Sequence, residues 1–485
     1  MWDFSQLDLK RFDQLALAEQ ISRQIGDAIA AGLLQPGARL PSWRDLAAQL
    51  GVARGTVRAA YDRLSDQELV VTSGSAGTFV AEPHATPSQA ASARPNDNVL
   101  PPGLMGRGFR HPAVFQMGTP AHDAFPLKVW SRLYRKAVSE ASFVSGYDDP
   151  RGSVELRTAV AAHLALTRGI HCTPDHIIIT SGFRGGLSLV LHALESRGEV
   201  WIEDPGYPVV RSALRFSPLR PVPVAVDAEG IDVESGMAVA PEARLAIVTP
   251  GQQAPLGVVM SNRRRRQLLD WAADVDAWIV EDDYMSELQL DGRPARALAS
   301  LDRHGSVIHI GSFSKTVIPS VGTGFVVAPP RLVRRLVEVA AWLSAPPNLA
   351  VQLALASFLG EGHLLRHLRR LKKLYAARRA SLAEAFKSRG VADVANAGLA
   401  VLIRLPAGTR DNELVERCRQ AGLAPAALSV WYAAPGREAS GLLLGITNVT
   451  EDKVARSCEA LAALINAPSP LAGEGSLASN GNAAG

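Results

Sequence analysis

Between Pro83 and Pro102 the chain is rich in Ala, Pro, Ser and Asn and shows neither a helical nor a strand hydrophobic period, so this stretch can join folded units but cannot form the interior of one. The 485 residues therefore divide there. Such a length exceeds one ordinary hydrophobic core, and the part beyond the stretch is large enough to enclose a cofactor. Apolar residues make up 47% and charged residues 20% of the chain, so both parts are expected to fold. A second aperiodic stretch, 467–485, reads as a disordered tail. The expected organisation is a unit at 1–82, a flexible linker at 83–103, a larger unit at 104–466, and the tail.

Several classes are excluded early. No apolar run of about 18 residues occurs, and Met1-Trp2-Asp3-Phe4 lacks the start of a secretion leader, so a cytoplasmic chain with no membrane partner is expected. Cys172, Cys418 and Cys458 are too few and too scattered for a disulfide framework or a zinc set, and read as packed thiols. The histidines lack ligand spacing, so no metal site is expected. Arg263 to Arg266 read as a solvated helix face.

In the first unit, Leu17, Ile21, Ile25, Ala28, Ile29 and Leu33 recur at helical spacing, and Gln35-Pro36-Gly37 stops the run. Ser42 with Asp45 three residues on has the form of a capping box, opening a short helix that Gly51 ends. A third helix, from about Arg54 to Leu64, buries Val57, Tyr61 and Leu64 and leaves Arg54, Thr56 and Arg58 outside. Leu69 to Thr72 and Thr78 to Val80 flank a Gly/Ser turn and read as a hairpin. Between Arg39 and Arg63, five arginines face Asp45 and Asp62, a local excess of three positive charges on a helix-turn-helix with a wing. That arrangement suits a major groove, with the wing on the backbone.

The second unit alternates strand-like runs (Ile177 to Ile179, Leu245 to Val248, Trp278 to Val280, Val307 to Ile310) with amphipathic helical stretches, the pattern of an α/β fold on a mostly parallel sheet. Gly311-Ser312-Phe313-Ser314-Lys315-Thr316 follows one strand and sets a lysine among hydroxyls that could hold a phosphate ester. Glu281-Asp282-Asp283-Tyr284 ends another, where a carboxylate can meet a protonated ring nitrogen. Ser181-Gly182-Phe183 opens a helix suited to a phosphate, and Glu203-Asp204-Pro205-Gly206-Tyr207 offers an aromatic to stack on a flat ring.

From Leu17 to Val80, through Leu33 to Gly37, Leu40 to Arg44, Leu50 to Val57 and Gly77 to Val80, the sequence resembles the GntR family of winged-helix regulators. By that resemblance Arg44, Arg54, Thr56, Arg58 and the wing glycine Gly77 contact an operator in double-stranded DNA. From about Phe115 to Leu464 it resembles the fold-type I aminotransferases, at Tyr147 to Gly152, Glu203 to Tyr207, Pro250 to Gly257, Glu281 to Tyr284 and Gly311 to Thr316. The combination is similar to the MocR subfamily. The resemblance implies a pyridoxal 5'-phosphate domain with a smaller C-terminal α+β subdomain and Lys315 as the Schiff-base residue. It further implies Asp282 at the pyridine nitrogen, Tyr284 at the ring hydroxyl, Tyr207 stacked on the ring, and Ser181, Gly182, Ser312 and Ser314 at the phosphate. Tyr147 would reach in from the partner of a homodimer. The implied function is a regulator whose small amine effector, sensed through the Lys315 aldimine, changes operator binding; the alternative is an active aminotransferase with an appended DNA-binding domain.

Three positions depart from the family pattern. Gly322 stands where an arginine supports the phosphate, a role Arg184 could take from the other side. Gln252 stands where a histidine is common. Leu443 replaces the arginine that holds an amino-acid carboxylate, which implies an effector not held as an ordinary α-amino acid.

Overall fold

In a computed structural model of the chain the described residues are 15–73, 77–81, 112–144, 149–292, 294–391, 393–434 and 438–467, with residues 2, 4, 7, 9, 146 and 436. They belong to two compact units, Met1–Asp97 and Asn98–Gly485. The expected linker, the tail beyond Ala467, and Tyr147 lie outside the described residues.

The first unit holds α1 (Leu17–Ala30), α2 (Trp43–Leu50), α3 (Arg54–Asp66) and an antiparallel hairpin of β1 (Val70–Ser73) and β2 (Gly77–Val80). Ser42 caps α2, accepting from the Asp45 N–H at 3.1 Å and donating to the Asp45 carboxylate at 2.6 Å. Gly51, at φ +63°, ends α2 in the left-handed region and turns the chain into α3. Ile21, Ile25, Leu46, Val57, Tyr61, Leu64, Val70 and Val80 make one core. The helical reading through Leu33 needs correction. The Gly32 N–H donates to Ile29 and the Leu33 N–H to Ala28, a closing pattern that ends α1 at Ala30. Leu33 is thereby left 60% exposed, and Leu34 enters the core instead.

The second unit opens with α4 (Leu127–Ala141) and α5 (Val154–Thr167). Its sheet is then laid down as β3 (Ile177–Thr180), α6 (Gly182–Leu194), β4 (Gly198–Asp204), α7 (Pro208–Leu214), β5 (Leu219–Asp227), β6 (Gly230–Ile231) and α8 (Val233–Val239). The alternation continues with β7 (Leu245–Val248), α9 (Asn262–Asp274), β8 (Trp278–Asp283), β9 (Val307–Ser312), β10 (Gly324–Val327), α10 (Pro330–Leu343) and α11 (Leu349–Gly360). The strand order is β3-β10-β9-β8-β7-β4-β5-β6. All pairs from β9 to β5 are parallel, while β10 and the two-residue β6 run against their neighbours.

Alternating side chains bury both faces, which is why these strands read as continuous apolar runs. Ile178, Val280, Ile308 and Ile310 pack with Leu187 and Val190 of α6 and Leu332 and Leu336 of α10. Ile177, Ile179 and Phe325 pack toward Leu156 of α5 and Leu355 and Phe358 of α11. The long α12 (His363–Lys387) leads to a four-stranded antiparallel sheet of β11 (Val394–Ala397), β12 (Ala400–Arg404), β13 (Ala426–Ala427) and β14 (Gly441–Gly445). With α13 (Asp411–Gln420) and α14 (Glu451–Asn466) it forms the smaller α+β part.

The basic run on α9 is not a solvated face. Arg263 and Arg266 are exposed, but helical spacing turns Arg264 and Arg265 inward with Leu268. Arg264 pairs with Asp227 at 2.9 Å. Arg265 donates to the carbonyls of Met260, Pro250 and Arg296. No helix among the described residues is long and apolar enough to cross a membrane.

Candidate functional site

Parallel strands deliver their carboxyl ends to one edge of the sheet, and the loops leaving them there enclose a cavity of about 490 Å³. Lys315, Asp282, Tyr284, Tyr207, Ser181, Gly182, Ser312, Ser314 and Arg184 all line it, so nine residues expected at a cofactor meet in one place. Lys315 lies just past β9. Its amine donates to the Gly118 carbonyl, and burial holds its pKa below the usual lysine value, with Asp282 opposing. Gly118 sits at φ +70°, and a Cβ there would come within 2.8 Å of the Lys315 Nζ, so glycine keeps this contact open.

Strand alternation sorts the acidic triplet at the end of β8. Glu281 bonds His309 at 3.0 Å and the Leu298 and Ala299 N–H groups, while Asp283 pairs with the buried Arg168 at 2.6 Å. Asp282 points the other way and lines the cavity. It is 4% exposed, and its Oδ1 is buried without a hydrogen-bond partner. Burial, and then the neighbouring Asp283 and Glu203 carboxyls, push its pKa well above the usual carboxylate range. An unmet acceptor of this kind fits a cationic N–H brought by a ligand.

The aromatic residues frame the same space. Tyr207 stacks on Trp431 with ring centroids 6.0 Å apart, and burial raises its phenol pKa. Burial likewise raises the phenol pKa of Tyr284, with the Gln252 side chain opposing, and Gln252, where the family pattern has histidine, lines the same cavity. Gly182 opens α6 at φ +74°. A Cβ on Gly324 would lie 2.9 Å from the Gly182 Cα, so glycine there lets β10 approach the first turn of α6. Gly322 takes φ +56° and lines the cavity without a side chain.

Some contributors escaped the sequence reading. Gly118 is 197 residues from Lys315, and no local pattern marked it. Trp431 carried no motif. Arg265 braces the loop bearing Gln252 through Pro250, and its place in a basic run pointed the wrong way.

In the first unit Arg44, Arg54 and Arg58 are exposed, and none has a carboxylate partner among the described residues. Arg44 lies over the Trp43 ring at 4.8 Å, which limits its freedom. Thr56 is half-buried beside them. Arg63, by contrast, is paired with Glu19 at 3.3 Å. Gly77 begins β2 at φ +112°, and a Cβ there would lie 3.1 Å from the Arg39 Nε, so Arg39 adds a cation at the wing that the site reading had not singled out. Three exposed guanidinium groups with no carboxylate partner among the described residues, together with the hairpin strands, form a surface suited to DNA phosphates and base edges.

Comparison with known proteins matches both units. Residues 17–80 match the model of bacterial regulatory proteins of the gntR family, and residues 115–461 that of aminotransferase class I and II. The probable rhizopine catabolism regulatory protein MocR of Rhizobium meliloti is 36% identical over 386 residues, covering 77% of each chain. The pyridoxine biosynthesis transcriptional regulator PdxR of Corynebacterium glutamicum is 33% identical over 378 residues, covering 76% of this chain and 79% of that one. Among solved structures, a kynurenine aminotransferase from Pyrococcus horikoshii superposes with a TM-score of 0.66 at 26% identity, covering 73% of this chain and 91% of that one.

Proposed function

Because the chain belongs to the GntR regulators of the MocR type, in which a winged helix precedes an aminotransferase class I and II domain, we propose that this transcription regulator holds pyridoxal phosphate in the cavity at Lys315 and changes its operator affinity when a small amine enters. The observation that carries the reading is the unpartnered, buried Asp282 carboxyl in the same cavity as the buried Lys315 amine. Pyridoxal phosphate supplies an aldehyde that condenses with primary amines and a pyridine nitrogen that is basic. Lys315 is the amine that would hold it, its pKa lowered by burial. Asp282 would accept from the ring N–H, Tyr284 would meet the ring hydroxyl, and Tyr207 would cover one face. Ser181, Ser312, Ser314, the N–H groups opening α6, and Arg184 would take the phosphate. Arg184 has no carboxylate partner among the described residues and offers the positive charge that Gly322 does not. DNA contact is assigned to Arg44, Arg54, Thr56, Arg58 and Gly77.

An effector shifts DNA affinity only by binding the two states unequally, so it must be tested on DNA directly. The experiment is a gel-shift titration of a fragment selected by the protein from a random pool, with pyridoxal phosphate and with or without an amine. A changed Kd without turnover is expected. The retained Lys315, Asp282 and Tyr284 favour a second reading, an active aminotransferase with an appended DNA-binding domain, which steady product formation from an amine and a keto acid would support. A homodimer is part of the proposal. Exposed Tyr134 and Val138 lie one turn apart on α4, with Phe143 and Val144 following, and make an apolar strip suited to self-association.

A further inference from the structure

Among the described residues lining the cavity only two are cations, Lys315 and Arg184. On the reading above, Lys315 is committed to the cofactor and Arg184, on the first turn of α6, to its phosphate. The wall contributed by the small subdomain is apolar, made by Ala397, Leu399, Ala400, Ala426 and Trp431. Behind it Leu443 of β14 is fully buried opposite Leu402 and Ala426, and Arg211, which reaches the Trp431 side of the wall, donates to the backbone carbonyls of Val430 and Trp431 and does not line the cavity.

Of the polar side chains on that side, the Thr447 hydroxyl donates to the Thr119 carbonyl. The Trp431 indole N–H is buried and has no acceptor among the described residues. One neutral donor can satisfy a neutral acceptor such as a hydroxyl. It does not balance a full negative charge taken out of water, which needs a cation or several hydrogen bonds.

We infer that the effector is a primary amine that carries no carboxylate and lays an uncharged tail along this wall. The inference rests on the reading that pyridoxal phosphate is held at Lys315, and its test separates the two. The full chain, loaded with pyridoxal phosphate, is titrated with butylamine and 4-amino-1-butanol and, as matched carboxylates, with 2-aminopentanoate and 4-aminobutanoate. The change in visible absorbance gives half-saturation, normalised to the same compound with free pyridoxal phosphate at the same pH. The carboxylate-free amines are expected to saturate at concentrations lower by about tenfold or more. Equal or tighter response to the carboxylates overturns the inference and leaves the cofactor reading standing. Absence of any visible band in the loaded protein overturns the cofactor reading, and this inference with it.

Discussion

Replacing Asp282 by Asn should move two measurable quantities in opposite directions. In the cofactor-free protein the carboxyl is 4% exposed, its Oδ1 has no donor, and burial with Asp283 and Glu203 raises its pKa, only partly offset by Lys315. A raised carboxyl pKa means the folded state holds a proton the unfolded state has released. Stability from this group is therefore complete below the usual carboxylate value near pH 4, roughly, and is lost as pH rises toward the folded value. Asparagine removes that loss, so cofactor-free Asp282→Asn should gain about 1 kcal/mol or more at pH 8, raising the midpoint of thermal unfolding by about 2 °C, with no gain at pH 4. With pyridoxal phosphate the sign reverses. The charge-assisted bond to the ring N–H is worth about 1.5–3 kcal/mol, so the variant should bind the cofactor roughly 10- to 150-fold more weakly. Melting curves at the two pH values and equilibrium dialysis read both effects. An unchanged Kd, or a variant less stable than the parent at pH 8 without cofactor, would refute the reasoning.

Other outcomes follow from the same geometry. Arg54→Ala should weaken operator binding by about 1–3 kcal/mol in a gel-shift titration if it reads a base, whereas Arg63→Ala, whose charge is tied to Glu19, should leave it nearly unchanged. Gly77→Val places a branched side chain at φ +112° against Arg39 and should cost about 1–3 kcal/mol in thermal denaturation of the DNA-binding unit. Glu203, raised by burial to about 7 despite bonds from Thr249 and Gln253, should make the second unit lose on the order of 3 kcal/mol as pH rises from about 4.5 to 7. In Glu203→Gln that slope should disappear, whatever constant cost the amide brings; a slope equal to the parent's would assign it elsewhere.

What could be read in advance follows the range over which each signal acts. Ser42 and Asp45 are three residues apart, and their cap is local chemistry, as is the turn at Gly51; both stood in the sequence. Continuous apolar runs likewise marked the strands, and the position of Lys315 just past β9 followed from the strand alone. The end of α1 did not, because an apolar period ran on through Leu33 while Gly32 closed the helix earlier. Arg264 and Arg265 misled for a different reason. Charge density in a sequence says nothing of backbone carbonyls that a distant loop presents, and Arg265 is held by Pro250 and Arg296. Gly118 and Trp431 enter the cavity by tertiary contact, with no local pattern to announce them.

The central claim is that Lys315 holds pyridoxal phosphate, and the visible absorption spectrum of the full chain with added cofactor, beside that of Lys315→Ala, tests it most directly. The account predicts a protein-bound visible band in the parent that is absent from the variant, and a change in that band when an amine is added. A band of equal strength in both proteins, or none in the parent, would contradict it.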